Sequence, residues 1–383
     1  MVGVSQNWGF HTTRELDSEN SYATLGFAKC LLKLSKYAQV IQLSDTSPYL
    51  ASLSEYWYFR SIAYYSYERG KRAIKYEMNY LKSSHSKESP TYNILSIDGG
   101  GVCGILPALW LSEIEYRTHR PISHLFNMIA GTSAGGIIAA GLLAPSWKME
   151  YNKDMGHLFA KSDSWTLFKP RYSNKDRSSL FFDHFENVRL STALTELVIP
   201  AVDESNLTHT HLFTRRNDSK DDTFYDTLMA TTAAPTFFPP YEIKGRGFFL
   251  DGALHLNNPA MAAYEKAIQY DAAKEKIFVL SLGTGSYLPD PLNPDLYRGN
   301  LFWAQNLHKV VLPQQEGNTD RSMYNLLGKC YQRWQVWFEE PISLDDCERV
   351  PHLLELGNQY IEELDASDEN PINKLVERLQ RLN

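Results

Sequence analysis

Between residues 91 and 290, short runs of β-branched and apolar residues alternate with longer stretches whose apolar positions recur at helical spacing. That alternation predicts an α/β domain built on a parallel sheet with helices on both faces. The flanks read differently. Residues 1–90 and 291–383 carry mainly helical spacing, and the polar run Ser83 to Pro90 marks a linker. The expected organisation is a helical N-terminal region (1–90), a central α/β domain (91–290) and a helical C-terminal region (291–383).

The N-terminal region holds a weak repeat: Tyr22, Leu25-Gly26 and Ala38 are echoed 35 residues later by Trp57, Arg60-Ser61 and Ala73. Small residues at Ser61 and Ala73 would let two antiparallel helices approach, with Trp57, Tyr64 and Tyr76 filling the gaps. A tetratricopeptide-like hairpin and an unrelated helical appendage both fit this pattern. The hairpin would point to a protein partner. The aromatic cluster Tyr56 to Phe59 with Tyr64, Tyr65 and Tyr67 falls at helical spacing and reads as core packing rather than a membrane patch.

Composition narrows the classes. With 43% hydrophobic and 22% charged residues in 383, the chain can fill a sizeable core. A formal charge of −7 argues against a dedicated nucleic-acid binder. Four scattered cysteines, Cys30, Cys103, Cys330 and Cys347, form no CxxC pair and no disulfide framework. The first twenty residues show neither a basic flank nor an apolar run, and the apolar tract from Ile137 to Ala144 is far short of the roughly 18 residues of a spanning helix. The expected location is cytoplasmic, in a reducing compartment, with signal-less secretion left open.

Chemistry concentrates at three strand ends. Asn93 to Ile97 predicts a strand that runs into Asp98-Gly99-Gly100-Gly101-Val102-Cys103-Gly104, with a helix from about Leu106. Glycines between a strand and a helix N-terminus bring backbone N–H groups close to negative charge. Gly99-x-Gly101-x-x-Gly104 also satisfies the dinucleotide fingerprint formally. That reading requires an acidic residue at the end of the second strand. The second strand, Phe126 to Ala130, closes instead on Gly131-Thr132-Ser133-Ala134-Gly135-Gly136. A serine in G-x-S-x-G between a strand and a helix is lifted out of a sharp turn, and larger residues in place of the glycines would collide. Further on, the strand Arg246 to Leu250 ends in Asp251-Gly252-Ala253, before Asn257-Asn258-Pro259 opens another helix. A carboxylate there can face the serine over the same sheet edge and take its proton directly. Its ordinary pKa near 3.9 would need raising by burial for that work.

These blocks resemble the patatin-like phospholipase family. The resemblance rests on Asp98 to Gly101, Gly131 to Gly135, Thr232 to Pro239, Asp251 to Ala253 with Asn258-Pro259, and Ser281 to Gly285, all in the family's order over about residues 92–290. It implies a Ser-Asp dyad acyl hydrolase with Ser133 as nucleophile, Asp251 as base and Gly99, Gly100 and Gly101 as oxyanion hole. It further implies a phospholipid or lysophospholipid substrate at a membrane surface, no cofactor and no need for calcium. One departure stands out: the family's glycine loop usually carries Arg or Lys where this chain has Cys103. The lost charge would weaken stabilisation of developing negative charge or of a phosphate head group, unless it is compensated from elsewhere.

Two other functions stay open on the sequence. A Ser-His-Asp esterase could recruit His308 or His352, which lie in the right chain order. A dormant patatin-like binding protein would use its N-terminal helices to engage a partner, and Cys103 favours it. Residues 145–185 interleave aromatics with basic residues, among them Arg177, Phe181 and Phe182, and suit either a lipid-facing lid or an ordinary cap. His209-Thr210-His211 lacks a third metal ligand and reads as a polar strand face.

Overall fold

The computed structural model describes residues 91–144, 170–216, 222–287, 315–367 and 370–380. Residues 1–90, where the helical repeat is expected, lie outside this set. The chain separates into two compact units, residues 1–89 with 112–122 and residues 90–111 with 123–383. Only residues 112–122 of the first unit are described.

The second unit is built on an eight-stranded sheet in the order β5-β6-β3-β2-β1-β7-β9, with β4 against β3. These strands are β1 (Tyr92–Ile97), β2 (Met128–Gly131), β3 (Glu196–Asp203), β4 (Thr210–Thr214), β5 (Tyr241–Ile243), β6 (Gly247–Asp251), β7 (Ile277–Leu282) and β9 (Tyr331–Trp334). The short β8 (Ser286–Tyr287) pairs with β10 (Trp337–Phe338) apart from it. Strands β3, β2, β1, β7 and β9 run parallel, while β4 and β6 are antiparallel to β3. β1 and β7 are buried along almost their whole length, which explains why they read as continuous apolar runs rather than alternating ones.

The main helices are α1 (Ile105–Thr118), α2 (Ala134–Leu143), α3 (Asn174–Phe185), α4 (Phe224–Thr231), α5 (Ala260–Gln269), α6 (residues 315–327), α7 (Val350–Ala366) and α8 (Pro371–Gln380). On one sheet face Ile94, Met128, Ala130, Val198 and Val279 meet Ala260, Ala263 and Ala267 of α5 and Met323 of α6. The small residues of α5 recur on one side of the helix, so it can lie close to the strands. The alternating set faces the other way: Ile199 approaches Gly136 of α2, and Phe278 lies under Arg378 of α8. Helices therefore cover both faces, as the pattern predicts. α2 is apolar nearly all round and is buried accordingly. Among the described residues no helix is long and apolar enough to cross a membrane.

The C-terminal region departs from its expected all-helical character. It supplies α7 and α8 but also β9, which extends the main sheet beside β7. β9 is four residues, Tyr-Gln-Arg-Trp, with an arginine inside, so hydrophobic patterning gives it no strand signal.

One feature of register places the site. Val198 of β3 pairs with Ala130 of β2 on one side and Thr214 of β4 on the other. Three pairs further along, Ala201 meets His211 of β4 and Asp251 of β6. β6 therefore occupies the same flank of β3 as β2, beyond its end, and runs the opposite way. The C-terminal ends of β2 and β6 point at each other.

Candidate active site

Ser133 closes the turn between β2 and α2 with φ 52° and ψ −117°, a conformation costly for a residue with a side chain. The glycines around it are required by contact. A Cβ on Gly131 would sit 2.1 Å from the Gly135 carbonyl oxygen, and one on Gly135 would sit 2.3 Å from that of Ile97. The Ser133 N–H donates to Thr231 Oγ1 at 3.1 Å, and that hydroxyl donates to the Pro200 carbonyl at 2.7 Å.

Asp251 ends β6 and is 3% exposed. Its Oδ2 accepts from Ser133 Oγ at 2.7 Å, and its Oδ1 accepts from the Ala253 N–H at 2.8 Å. The structure thus brings together the serine and aspartate singled out from sequence, 118 positions apart, with no histidine between them. His352 is exposed on α7 and His308 lies outside the described residues. Burial pushes the Asp251 carboxyl up to about 6, against the opposing pull of the Ala253 amide, the Ser133 hydroxyl and the Arg177 charge.

The glycine loop arrives from β1. Its three amides, named together as the oxyanion hole from sequence, are not equivalent in their surroundings. The Gly99 N–H donates to the Asn257 carbonyl at 3.1 Å, so it is spent on holding the loop. Gly100 comes next, in extended backbone, followed by Gly101 at φ +55°. In the first turn of α2 the Gly135 N–H donates to the Thr132 carbonyl at 2.8 Å and the Ile137 N–H to the Ser133 carbonyl at 3.0 Å, so these two amides are also spent within the turn. The loop is clamped from several sides: Thr284 Oγ1 donates to the Gly99 carbonyl at 2.6 Å, and the Val102 N–H donates to the Leu344 carbonyl at 2.8 Å.

At the head of this loop Asp98 is fully buried and grips Arg333 of β9. The guanidinium donates to both carboxylate oxygens, at 3.0 and 2.6 Å, and to Ser281 Oγ at 2.9 Å. Burial works against the charge on Arg333, but Asp98 more than offsets it and holds the guanidinium protonated. Glu316 lies nearby, hydrogen-bonded by Asn257, and is pushed up to about 7, first by burial and then by the Asp98 charge. Sequence reasoning passes over Arg333, because 235 residues separate it from Asp98 and no motif surrounds it.

A narrow pocket opens on Ser133, lined by Gly101, Ala134, Ile137, Arg177, Phe181, Phe237, Phe238 and Leu344. Arg177 and Phe181 belong to the segment that suits either a lipid-facing lid or an ordinary cap. Both are buried, whereas Phe182 is exposed. Residues 145–169 of that segment lie outside the described residues. Cys103 is buried, and burial raises its thiol to about 12, so it stays neutral. Among the described residues no three His, Cys, Asp or Glu side chains gather as metal ligands, and His211 packs on Phe213 beside Arg246.

An elbow serine bonded to a buried carboxylate, beside a glycine loop at the end of a parallel sheet, is an arrangement that can support nucleophilic acyl transfer. Residues 95–264 match the family model described as patatin-like phospholipase. Patatin-like protein 2 of rice is 31% identical over 53% of this chain and 63% of its own length. Patatin-T5 of potato is 29% identical over 50% of this chain and 60% of its own. These matches span about three fifths of the plant relatives. A protein of Pseudomonas aeruginosa named cGAMP-activated phospholipase is 27% identical over 63% of this chain and 77% of its own. Among solved structures, VipD from Legionella pneumophila aligns at 10% identity with a TM-score of 0.38, over 72% of this chain and 67% of that one.

Proposed function

We propose that the protein is a lipid acyl hydrolase of phospholipase A or lysophospholipase type, working through a Ser133–Asp251 dyad at membrane surfaces. The observation that carries this reading is the 2.7 Å hydrogen bond from Ser133 Oγ to a buried Asp251 carboxylate. Ser133 Oγ attacks the ester carbonyl carbon while its proton passes to Asp251 Oδ2. The amides of Gly100 and Gly101 and of Ala134, the residue after the nucleophile, hold the resulting oxyanion. Collapse of the tetrahedral adduct breaks the bond to the leaving alcohol, which takes the proton back from Asp251. Water then attacks the acyl-serine, giving its proton to Asp251, and the fatty acid leaves as Ser133 is restored. A carboxyl held at about 6 suits both halves of the cycle, being ionised at neutral pH yet basic enough to accept a proton.

A gated version of the same enzyme has its own support. Leu344 lies over the glycine loop and lines the pocket, held by Asp345, whose Oδ2 accepts from Arg171 at 2.5 Å and Tyr172 at 2.6 Å. The Pseudomonas relative is named for activation by cGAMP. The test is fatty-acid release from mixed phospholipid vesicles by wild type, Ser133→Ala and Asp251→Ala, each with and without cGAMP or cell lysate. Wild-type release that both substitutions abolish supports the dyad. Release only with cGAMP or lysate supports gating. Folded wild type that stays silent in every condition shifts the reading to a binding protein.

A further inference from the structure

We infer that Arg177 is a positioning residue for the dyad: a fixed, buried positive charge that keeps the Asp251 carboxylate ionised and able to receive the Ser133 proton. This rests on the dyad reading above and deepens it.

The side chain is 1% exposed and lines the same pocket as Ser133. Its Nη1 donates to Thr232 Oγ1 at 2.9 Å and its Nη2 to Asn174 Oδ1 at 2.6 Å, while the guanidinium lies 4.5 Å from the centre of the Phe238 ring. Its Nε is buried without a hydrogen-bond partner. None of these partners is charged. A guanidinium so deeply buried without a carboxylate at contact is expensive, and an apolar side chain would fill the space at less cost. The arrangement makes sense if the charge acts on an anion close by.

The tether shows which anion. Thr232 sits in the middle of a three-residue stretch that holds both members of the dyad. Thr231 Oγ1 accepts from the Ser133 N–H, and the Ala233 carbonyl accepts from the Asp251 N–H at 3.0 Å. Arg177 is anchored to the same backbone that fixes the two reacting side chains. The titratable groups facing it are Asp251 from β6, Tyr225 from α4 and Tyr241 from β5. Tyr241 is kept protonated by burial and by its hydrogen bond to Asp226, which leaves Asp251 as the facing group that carries negative charge at neutral pH. On the other side, Asp251 is faced by Ser133 and by Arg177. Burial lowers Arg177 only to about 10, so it is charged wherever the enzyme would work. Cys103 leaves the glycine loop without a fixed cation, and α3 brings one to the same pocket from a different direction.

The test follows capture of Ser133 by a fluorophosphonate in the full chain between about pH 4.5 and 9. In this reaction Ser133 Oγ bonds to phosphorus, fluoride leaves and the serine proton goes to Asp251. Wild type should label with an acid limb near pH 6. R177M should move that limb upward by about one pH unit, with labelling roughly tenfold slower at about pH 5 and a plateau within about threefold at pH 8.5. R177K should restore the wild-type limb, because it keeps the charge. An R177M limb at the wild-type position overturns the inference, whatever its plateau. D251N labelled as fast as wild type overturns the dyad itself, a separate outcome. Should R177M fail to fold, T232V carries the test. It frees Nη1 and should move the limb the same way by less, and an unmoved limb there also overturns the inference.

Discussion

Two buried aspartates end strands of this sheet, each followed by glycine, and the protein uses them in opposite ways. Asp98, after β1, is saturated by the two-pronged grip of Arg333. Asp251, the last residue of β6, receives one amide hydrogen bond and one from a serine hydroxyl, while Arg177 is tethered to Thr232 and Asn174 instead. Burial pushes the Asp98 carboxyl up as well, against the pull of Arg333, but a carboxylate locked to a guanidinium at contact is a poor base, since protonating it strands the partner's charge in the interior. A carboxylate that is buried but only lightly bonded is left with a raised pKa and an acceptor oxygen on the serine. The first aspartate fixes the glycine loop, and in the proposed mechanism the second exchanges a proton with Ser133.

The comparison can be broken from either side. The largest effect expected is on hydrolysis. Asp251→Asn should lower kcat by about 10⁴-fold, and Ser133→Ala by as much, measured as fatty-acid release from vesicles. If the two aspartates were interchangeable structural anchors, Asp251→Asn would instead act mainly on stability. Next comes Arg333→Met, which leaves Asp98 unpaired in the interior. It should destabilise the fold by about 3–5 kcal/mol in urea titrations, with much of the loss recovered when Asp98→Asn is added.

The third effect has the opposite sign. Because the Asp251 carboxyl is raised from about 3.8 to about 6 in the folded protein, the folded state binds the proton more tightly than the unfolded chain. Stability therefore falls as pH rises through that window, and the full penalty persists above about pH 6. Asp251→Asn should relieve it and raise stability at pH 7.5 by at most about 3 kcal/mol, while the gain vanishes near pH 4. A thermal melt at both pH values checks this, and a mutant no more stable at pH 7.5 than wild type would blunt the contrast with Asp98. The smallest effect is on aim. Thr231→Val removes the hydroxyl that accepts from the Ser133 N–H and should cost about tenfold or less in kcat with little change in KM.

What could be read from the sequence was local in the chain. β1 is expected at Asn93 to Ile97 and found at Tyr92–Ile97, and the second strand is expected at Phe126 to Ala130 and found at Met128–Gly131. Ser133 and Asp251 could be singled out because a strand, a glycine turn and a helix start leave a signature within a few residues. Their approach to each other could not be measured that way, because it depends on β6 running antiparallel beyond the end of β2. The hydrogen bond that occupies the Gly99 amide hinges on a carbonyl at Asn257, more than 150 positions away. Arg177 and Arg333 look in the sequence like ordinary surface charges. Only packing reveals that one is enclosed by Phe238, Thr232 and Asn174, and the other by Asp98 and Ser281.

The most direct test of the central claim is to trap the acyl-enzyme. A slowly hydrolysed activated ester is mixed with wild type, Asp251→Asn and His352→Ala, quenched in acid, and the digest weighed by mass spectrometry. The expected result is an acyl group on the peptide containing Ser133 in wild type and in His352→Ala, formed with the same rate in both, and almost none in Asp251→Asn. Acylation at another residue, or of Ser133 at an undiminished rate in Asp251→Asn, would contradict it.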